Sequence, residues 1–238
     1  MPRLRWLIPI AIGIALLRTE LPIRMIRLID QRLALFAPRG ARAYSIAAPP
    51  LLAGLYRAVV ADLTALHADG ARVVDIGSGP GSLLAELAEA LPSARLTGIE
   101  PAGEMRQIAQ ERLVAAGLAG RVTVLEGSAE AIPVADGSAD VVVSTLSAHH
   151  WTDPVAAFRE IGRCLAPEGE ARVYDVRFAA FSARELRRLA AAAGFDPGMV
   201  RREVLDVRIG PLRPFAVAVW PARRPAPIDT SVILAGSI

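Results

Sequence analysis

Apolar positions along the 238-residue chain fall into two alternating rhythms. Short apolar runs at Val73–Gly77, Arg95–Glu100, Val122–Glu126, Asp140–Ser144 and Glu170–Val176 predict buried strands. Between and beside them, apolar residues spaced three and four apart predict helices at Leu51–His67, Gly81–Leu91, Gly103–Ala116, Pro154–Leu165 and Ala183–Ala193. Each helix ends where the chain supplies a breaker: Asp69-Gly70, Pro92, Gly117, Pro167 with Gly169, and Gly194. Strands alternating with helices require parallel pairing and a sheet covered on both faces. The expectation is one doubly wound α/β domain with a mostly parallel, seven-stranded sheet. The rhythm changes at the end. Val200–Ile209 and Phe215–Trp220 are β-rich, and the gap Gly210–Pro214 is too short for a crossover helix. These two strands are expected to form a terminal antiparallel hairpin.

Upstream of the alternation, Pro38, Gly40, Pro49 and Pro50 make 39–50 read as a loop. The expected organisation is an N-terminal arm over 1–43, a domain over 44–220 and a loose, proline-rich tail over 221–238. Charge separates arm from domain. Every basic residue is arginine; the arm holds eight of them against Glu20 and Asp30, a net of +6, while the remainder is mildly acidic. A domain without a basic patch gives no reason to expect nucleic acid. The arm's apolar run Trp6–Leu17 is shorter than the roughly 20 residues that span a bilayer. Ile23–Phe36 mixes apolar residues with Arg24, Arg27 and Arg32, as an interfacial helix does. Three readings fit the arm: membrane-surface contact through residues 1–36, a helix packed on the domain or a second subunit, or translation starting at Met25. A single cysteine, Cys164, excludes a disulfide framework, and three histidines without acidic partners at ligand spacing argue for no metal. A cytoplasmic protein, peripheral on the inner face of the membrane if the arm binds lipid, is the expected location.

Candidate chemistry is concentrated in Val73-Val74-Asp75-Ile76-Gly77-Ser78-Gly79-Pro80-Gly81-Ser82-Leu83. A buried strand runs into a glycine turn, and a helix starts directly after it. Glycines allow tight backbone angles and close approach of a ligand. The helix start adds unpaired amides and partial positive charge. Dinucleotide sites use Gly-x-Gly-x-x-Gly; here the third glycine arrives one residue early, at Gly81, after the acidic lead Asp75. An acid suits a cationic ligand better than a pyrophosphate. Glu100 closes the next strand, 25 residues on, where a carboxylate can accept both hydroxyls of a ribose.

With these motifs in register, 44–220 resembles class I S-adenosylmethionine-dependent methyltransferases, which have a Rossmann-like fold. Within them it resembles the methyltransferase type 11 group, which includes the ubiquinone/menaquinone-type C-methyltransferases. The third and fourth segments that carry the likeness are Leu125–Pro133 and Asp140–Pro154. The resemblance implies S-adenosylmethionine as cofactor, with Asp75, Gly77, Ser78, Gly79 and Gly81 around its methionine part. It implies Glu100 on the ribose, Pro101 on the adenine, and Met105 near the adenine, where ordinary core packing is an equal reading. Ser128 stands where the group usually has an Asp that caps the adenine amino group, with Ala129 and Glu130 as neighbours and Thr145 at the end of the fourth strand. Tyr44 resembles the tyrosine that closes over the cofactor in this family.

His149 and His150 follow the fourth strand, at the sheet end where open α/β folds bind ligands. Imidazole exchanges protons near neutral pH, so either is a candidate general base for an acceptor that arrives protonated. Structural packing in the loop is the competing reading. The implied activity is methyl transfer to a small, lipophilic acceptor such as a quinone. The alternatives are a non-catalytic methyltransferase-like binding protein and, against the glycine spacing, a nicotinamide-dependent oxidoreductase. The accepting atom and the oligomeric state stay open.

Overall fold

A computed structural model describes residues 38–177, 181–208 and 212–221. The expectations for residues 1–36 and for the tail beyond Pro221 lie outside these residues. In chain order the elements are α1 (Pro38–Ala65), β1 (Arg72–Ile76), α2 (Ser82–Ala90), β2 (Arg95–Ile99), α3 (Gly103–Ala115), β3 (Val122–Leu125) and β4 (Ala139–Thr145). A short 3₁₀ turn (Ala148–His150) follows, then α4 (Pro154–Cys164), β5 (Leu165–Val176), α5 (Ala183–Ala193), β6 (Arg201–Val204) and β7 (Phe215–Pro221). The sheet has seven strands in the order β3-β2-β1-β4-β5-β7-β6. β1 pairs parallel with β2 and β4, β2 with β3, and β4 with β5. β7 runs antiparallel to both β5 and β6, as the short connection required.

Alternation along the strands sorts side chains into two cores. Val73, Val141, Val143, Val217 and Val219 face one way, onto Leu55, Val59 and Leu63 of α1 and Leu84 and Leu87 of α2. Val74, Val142, Ala218 and Trp220 face the other way, onto Phe158 and Ile161 of α4 and Leu186 and Leu189 of α5. Phe158 stacks on Trp220 with ring centroids 4.4 Å apart. Helix starts follow local chemistry. Asp153 caps α4 by accepting from the amides of Val155 and Ala156, with Pro154 at the first position. Ser182 and Glu185 form a reciprocal capping box on α5, which ends at Gly194 in the left-handed region.

Three expectations change. Residues 39–50 are helix rather than loop: α1 runs unbroken through Pro49 and Pro50 and across the expected arm boundary at residue 43. Proline lacks the N–H that would bond the carbonyl four residues back, so Ser45 and Ile46 lose their helical donors. Arg112 of α3 replaces one, donating from Nη2 to the Ser45 carbonyl at 3.2 Å. Ala41, buried against Met105 and Ile108, holds the first turns down. Second, pairing in β5 begins at Leu165, well before Glu170, with a register shift on β4 between Ala139 and Val141. Third, β6 spans only Arg201–Val204.

A polar network fixes α1 to the sheet. Asp62 accepts from both the Arg172 guanidinium and the Tyr174 hydroxyl, and Arg172 Nε also donates to Glu170 at 2.6 Å. Tyr174 is fully buried. Asp62→Ala strands a buried hydroxyl and a half-buried cation, and hydrogen bonds to charged groups are worth about 1.5–3 kcal/mol each. The expected loss is about 2 kcal/mol or more in urea unfolding; an unchanged midpoint would show that α1 is held by apolar contacts alone.

Candidate cofactor and acceptor site

The strand order reverses between β1 and β4, and the crevice outside their carboxyl ends is the place where open α/β sheets bind ligands. A cleft of about 780 Å³ lies there. Its floor is the turn after β1. Gly77, Gly79 and Gly81 all have positive φ, at 70°, 53° and 72°. A Cβ on Gly77 would meet Ser147 at 2.4 Å, so this position needs glycine for space as well as for conformation. The amides of Gly77 and Ser78 both donate to the Ile99 carbonyl. Arg112 Nη1 donates to the Pro80 carbonyl and to Ser82 Oγ. One guanidinium therefore ties the glycine turn to α1.

Two carboxylates meet in this floor. Glu100, 5% exposed, accepts from the Gly79 amide through Oε2 and from the Ala102 amide through Oε1, both at 2.9 Å. Burial raises its pKa against the lowering effect of those amides and of Arg106. Asp75 is 2% exposed, and its Oδ1 has no hydrogen-bond partner. Burial, and then the charge of Glu100, push its pKa up to about 7. Ser78 Oγ and Thr145 Oγ1 are also buried and unpartnered. Buried polar atoms without partners are rare in folded proteins; of the four among the described residues, these three line one cleft beside two acids, and the fourth, Trp220 Nε1, lies in the core. Such a donor set fits a ligand that brings hydroxyls and a positive charge.

The remaining expected residues surround the same space. Pro101 and Met105 line it beside Glu100, and Met105 also packs with Ala41 and Ile108, which is the core packing that was its second reading. Ser128, Ala129 and Glu130 line the opposite wall. Glu130 Oε1 accepts from the Thr152 amide and hydroxyl and from the Asp153 amide, joining this wall to the loop after the 3₁₀ turn. Burial would raise the Glu130 pKa, but those amides and the Ser128 hydroxyl outweigh it and lower it. Tyr44 reaches the cleft from α1, and Thr145, His149 and His150 reach it from the end of β4. Gly81 alone among the expected residues does not line the cleft. It caps α2, with Ala109 of α3 so close that a Cβ would sit 3.0 Å away.

His149 is aimed by a partner that sequence reasoning missed. Its Nδ1 lies 2.9 and 3.0 Å from the two carboxylate oxygens of Asp175, and its amide donates to Asp175 Oδ2. Asp175 is fully buried near the end of β5. The loop carrying His149 is itself pinned. Leu146 sits at φ 55°, an uncommon angle for a residue with a side chain. Ser147 Oγ donates to the Ile76 carbonyl at 3.0 Å and lies 2.7 Å from Ser144 Oγ. Tyr56, Ser147, Trp151 and Val176 also line the cleft and were not anticipated. The available signal for Asp175 was an acid inside the apolar run Val173–Val176. Among the described residues no cluster of His, Cys, Asp and Glu could hold a metal ion.

Fold and cleft define a doubly wound α/β domain with a ligand-sized crevice where the strand order reverses. Comparison with known proteins narrows this. The family described as "Methyltransferase domain" matches residues 74–173. The chain is 29% identical over 110 residues to the ubiquinone/menaquinone biosynthesis C-methyltransferase of Geotalea daltonii, covering 46% of this chain and 47% of that protein. It is 37% identical over 110 residues to the malonyl-[acyl-carrier protein] O-methyltransferase of Geobacter sulfurreducens, covering 45% and 40%. The chain thus spans about half or less of the length of these curated relatives. A solved structure from Methanococcus maripaludis, described as a proposed S-adenosylmethionine-dependent methyltransferase, superposes with a TM-score of 0.63 over 81% of this chain and 96% of that one. At 22% identity this likeness speaks for the fold. Residues 74–173 thus carry the likeness to a methyltransferase domain.

The raised Asp75 pKa has opposite consequences for folding and for binding. A folded pKa of about 7 against an ordinary 3.8 means the folded state holds a proton that the unfolded state has released. Stability of the ligand-free protein therefore falls as pH rises from about 4 to 7, then levels. A cationic ligand needs the ionised form, so its affinity rises through the upper part of that window. Asp75→Asn is expected to melt above wild type at pH 8 without ligand and to lose most of the gain that S-adenosylmethionine gives. Melting curves with and without the cofactor check both signs; a variant that keeps the full ligand-induced gain would remove Asp75 from the site.

Proposed function

We propose that this protein transfers a methyl group from S-adenosylmethionine to a small lipophilic acceptor that carries an acidic hydroxyl, such as a phenol or enol, with His149 as general base. The observation that carries the reading is the His149–Asp175 pair at the wall of the cofactor cleft. The cofactor supplies, when bound, a methyl carbon activated by sulfonium sulfur. Everything else falls to the chain. In this reading Glu100 holds the ribose hydroxyls, Asp75 and the glycine turn accommodate the positively charged methionine part, and Ser128 and the backbone of Ala129 face the adenine.

Asp175 accepts a hydrogen bond from Nδ1–H of His149, and this fixes the tautomer whose lone pair is on Nε2. That nitrogen would hold the acceptor's proton while the acceptor takes the methyl group, the sulfur–methyl bond breaking to leave neutral S-adenosylhomocysteine. The resulting imidazolium is stabilised by the buried carboxylate. Tyr44, Tyr56, Leu146 and Trp151 give the cleft apolar walls, which exclude water that would compete as nucleophile. One relative's name, a C-methyltransferase of ubiquinone/menaquinone biosynthesis, supports a quinol-type acceptor.

General-base catalysis is typically worth about 10²–10⁴-fold in rate. His149→Ala is expected to lower turnover by that order while leaving S-adenosylmethionine affinity within about twofold. Asp175→Asn, which can favour the wrong tautomer, is expected to lose a large part of the same factor. The assay is transfer of labelled methyl to a panel of quinols, phenols and lipid extract. Wild-type turnover by His149→Ala would sink the base assignment. Cofactor binding with no transfer to any acceptor would favour a non-catalytic binding protein.

A further inference from the structure

The inner side of α1 carries a polar atom that the fold does not use. Leu55, Tyr56, Val59 and Leu63 fall on that side and join the core cluster that includes Leu83, Leu84 and Leu87 of α2. Of these four residues of α1, only Tyr56 has a hydroxyl. The residue is 7% exposed and lines the cleft. Its hydroxyl makes no hydrogen bond within the described residues. A tyrosine hydroxyl at a buried position usually finds a partner. One that faces a cleft is left for whatever the cleft binds.

Tyr56 sits at the glycine-turn end of the cleft, which Pro80 and Leu83 also line. Burial, then Tyr44, Asp75 and Glu86, raise its pKa well above the ordinary tyrosine range, and Arg112 offsets them only in part. The hydroxyl therefore keeps its proton and can donate it to a hydrogen bond. Few other donors face this floor. The amides of Gly77 and Ser78 go to the Ile99 carbonyl, that of Gly79 to Glu100 and that of Gly81 to the Ser78 carbonyl; Pro80 has none. Ser78 Oγ is turned toward β2, where a Cβ on Gly98 would lie 2.6 Å from it. Ser147 Oγ is spent on the Ile76 carbonyl. Arg112 contacts the carbonyls of Ser45 and Pro80 and Ser82 Oγ, and has no carboxylate partner among the described residues. Its positive charge and the positive end of α2 thus favour an anion beside Tyr56.

We propose that Tyr56 recognises the carboxylate of the cofactor's amino-acid end, donating its hydroxyl hydrogen to it while Asp75 takes the ammonium on the same carbon. The inference rests on the sulfur-nucleoside reading of the cleft. An amino-acid end brings both charges, and Asp75 with its unmet oxygen suits only the positive one. The carboxylate, once out of water, needs a donor of its own. Arg112 does not line the cleft, so it acts on that carboxylate through its field and leaves the contact to Tyr56. The cleft therefore distinguishes a nucleoside with a complete amino acid from one that has lost only the carboxylate.

The test is calorimetric titration of the full-length wild type and Tyr56→Phe with S-adenosylhomocysteine, its decarboxylated analogue and methylthioadenosine. The analogue keeps the ammonium, and methylthioadenosine lacks the amino acid altogether. Wild type is expected to bind S-adenosylhomocysteine roughly tenfold or more tighter than the decarboxylated analogue, as a hydrogen bond to a charged group requires. Tyr56→Phe keeps the ring and should lose roughly that factor for S-adenosylhomocysteine alone. Its affinity for the other two ligands should stay within about twofold of wild type, which also certifies its fold. A loss shared by all three ligands would show a packing role and overturn the proposal, and so would no loss with any of them. If the variant does not fold, the wild type decides: equal affinity for S-adenosylhomocysteine and the decarboxylated analogue overturns it. A wild type that binds none of the three defeats the nucleoside reading itself. Binding of all three without preference defeats only the role of Tyr56.

Discussion

Asp75 and Glu100 end adjacent parallel strands, and the fold buries both carboxylates in one cleft. Two acids out of water repel one another and pay for their lost hydration, so each is pushed toward its protonated form. Much of the surrounding structure answers to that constraint. Glu100 is satisfied in part by the amides of Gly79 and Ala102, which shape the turn after β1 and open α3. Asp75 keeps an oxygen unmet. The glycine turn that packs against the pair is held in place by Arg112, and Arg112 in turn supports the proline-interrupted α1. In the function proposed above, a cation-bearing nucleoside would relieve the same constraint.

The second wall of the cleft is built by different means. Glu160 accepts from the Ile132 amide, and Arg163 donates to the carbonyls of Ile132 and Val134 and to Asp136, so α4 holds the loop after β3 in place. Glu130 then joins that loop to the one after the 3₁₀ turn. These contacts place Ser128 and Ala129 on one side of the cleft and His149 on the other without involving the floor.

Much of this was legible in the sequence, because the fold is written in local periodicity and the nucleoside motifs are short and contiguous. Asp75, the glycine turn and Glu100 are separated by one βαβ unit, so their meeting follows from strand order alone. What was not legible depends on residues far apart in sequence. Asp175 is 26 positions from His149, and the one local mark, an acid within an apolar strand, does not name its partner. Arg112 and Ser45 are 67 apart, and only their contact explains why a helix continues through Pro49 and Pro50. Loop signals from proline are reliable where nothing replaces the missing amide, and here a distant guanidinium does. Ser128, which departs from the family's usual Asp, retains a polar hydroxyl in the cleft wall, beside Glu130.

Calorimetric titration of the full-length protein with S-adenosylmethionine, S-adenosylhomocysteine and NAD tests the central claim, that the Asp75–Glu100 cleft is a sulfur-nucleoside site. One binding event per chain is expected for each of the two sulfur nucleosides and none for NAD. Glu100→Ala should weaken both by roughly tenfold or more, because bonds to a charged group are worth about 1.5–3 kcal/mol each. Absence of heat with either sulfur nucleoside, or saturable binding of NAD in their place, would contradict it.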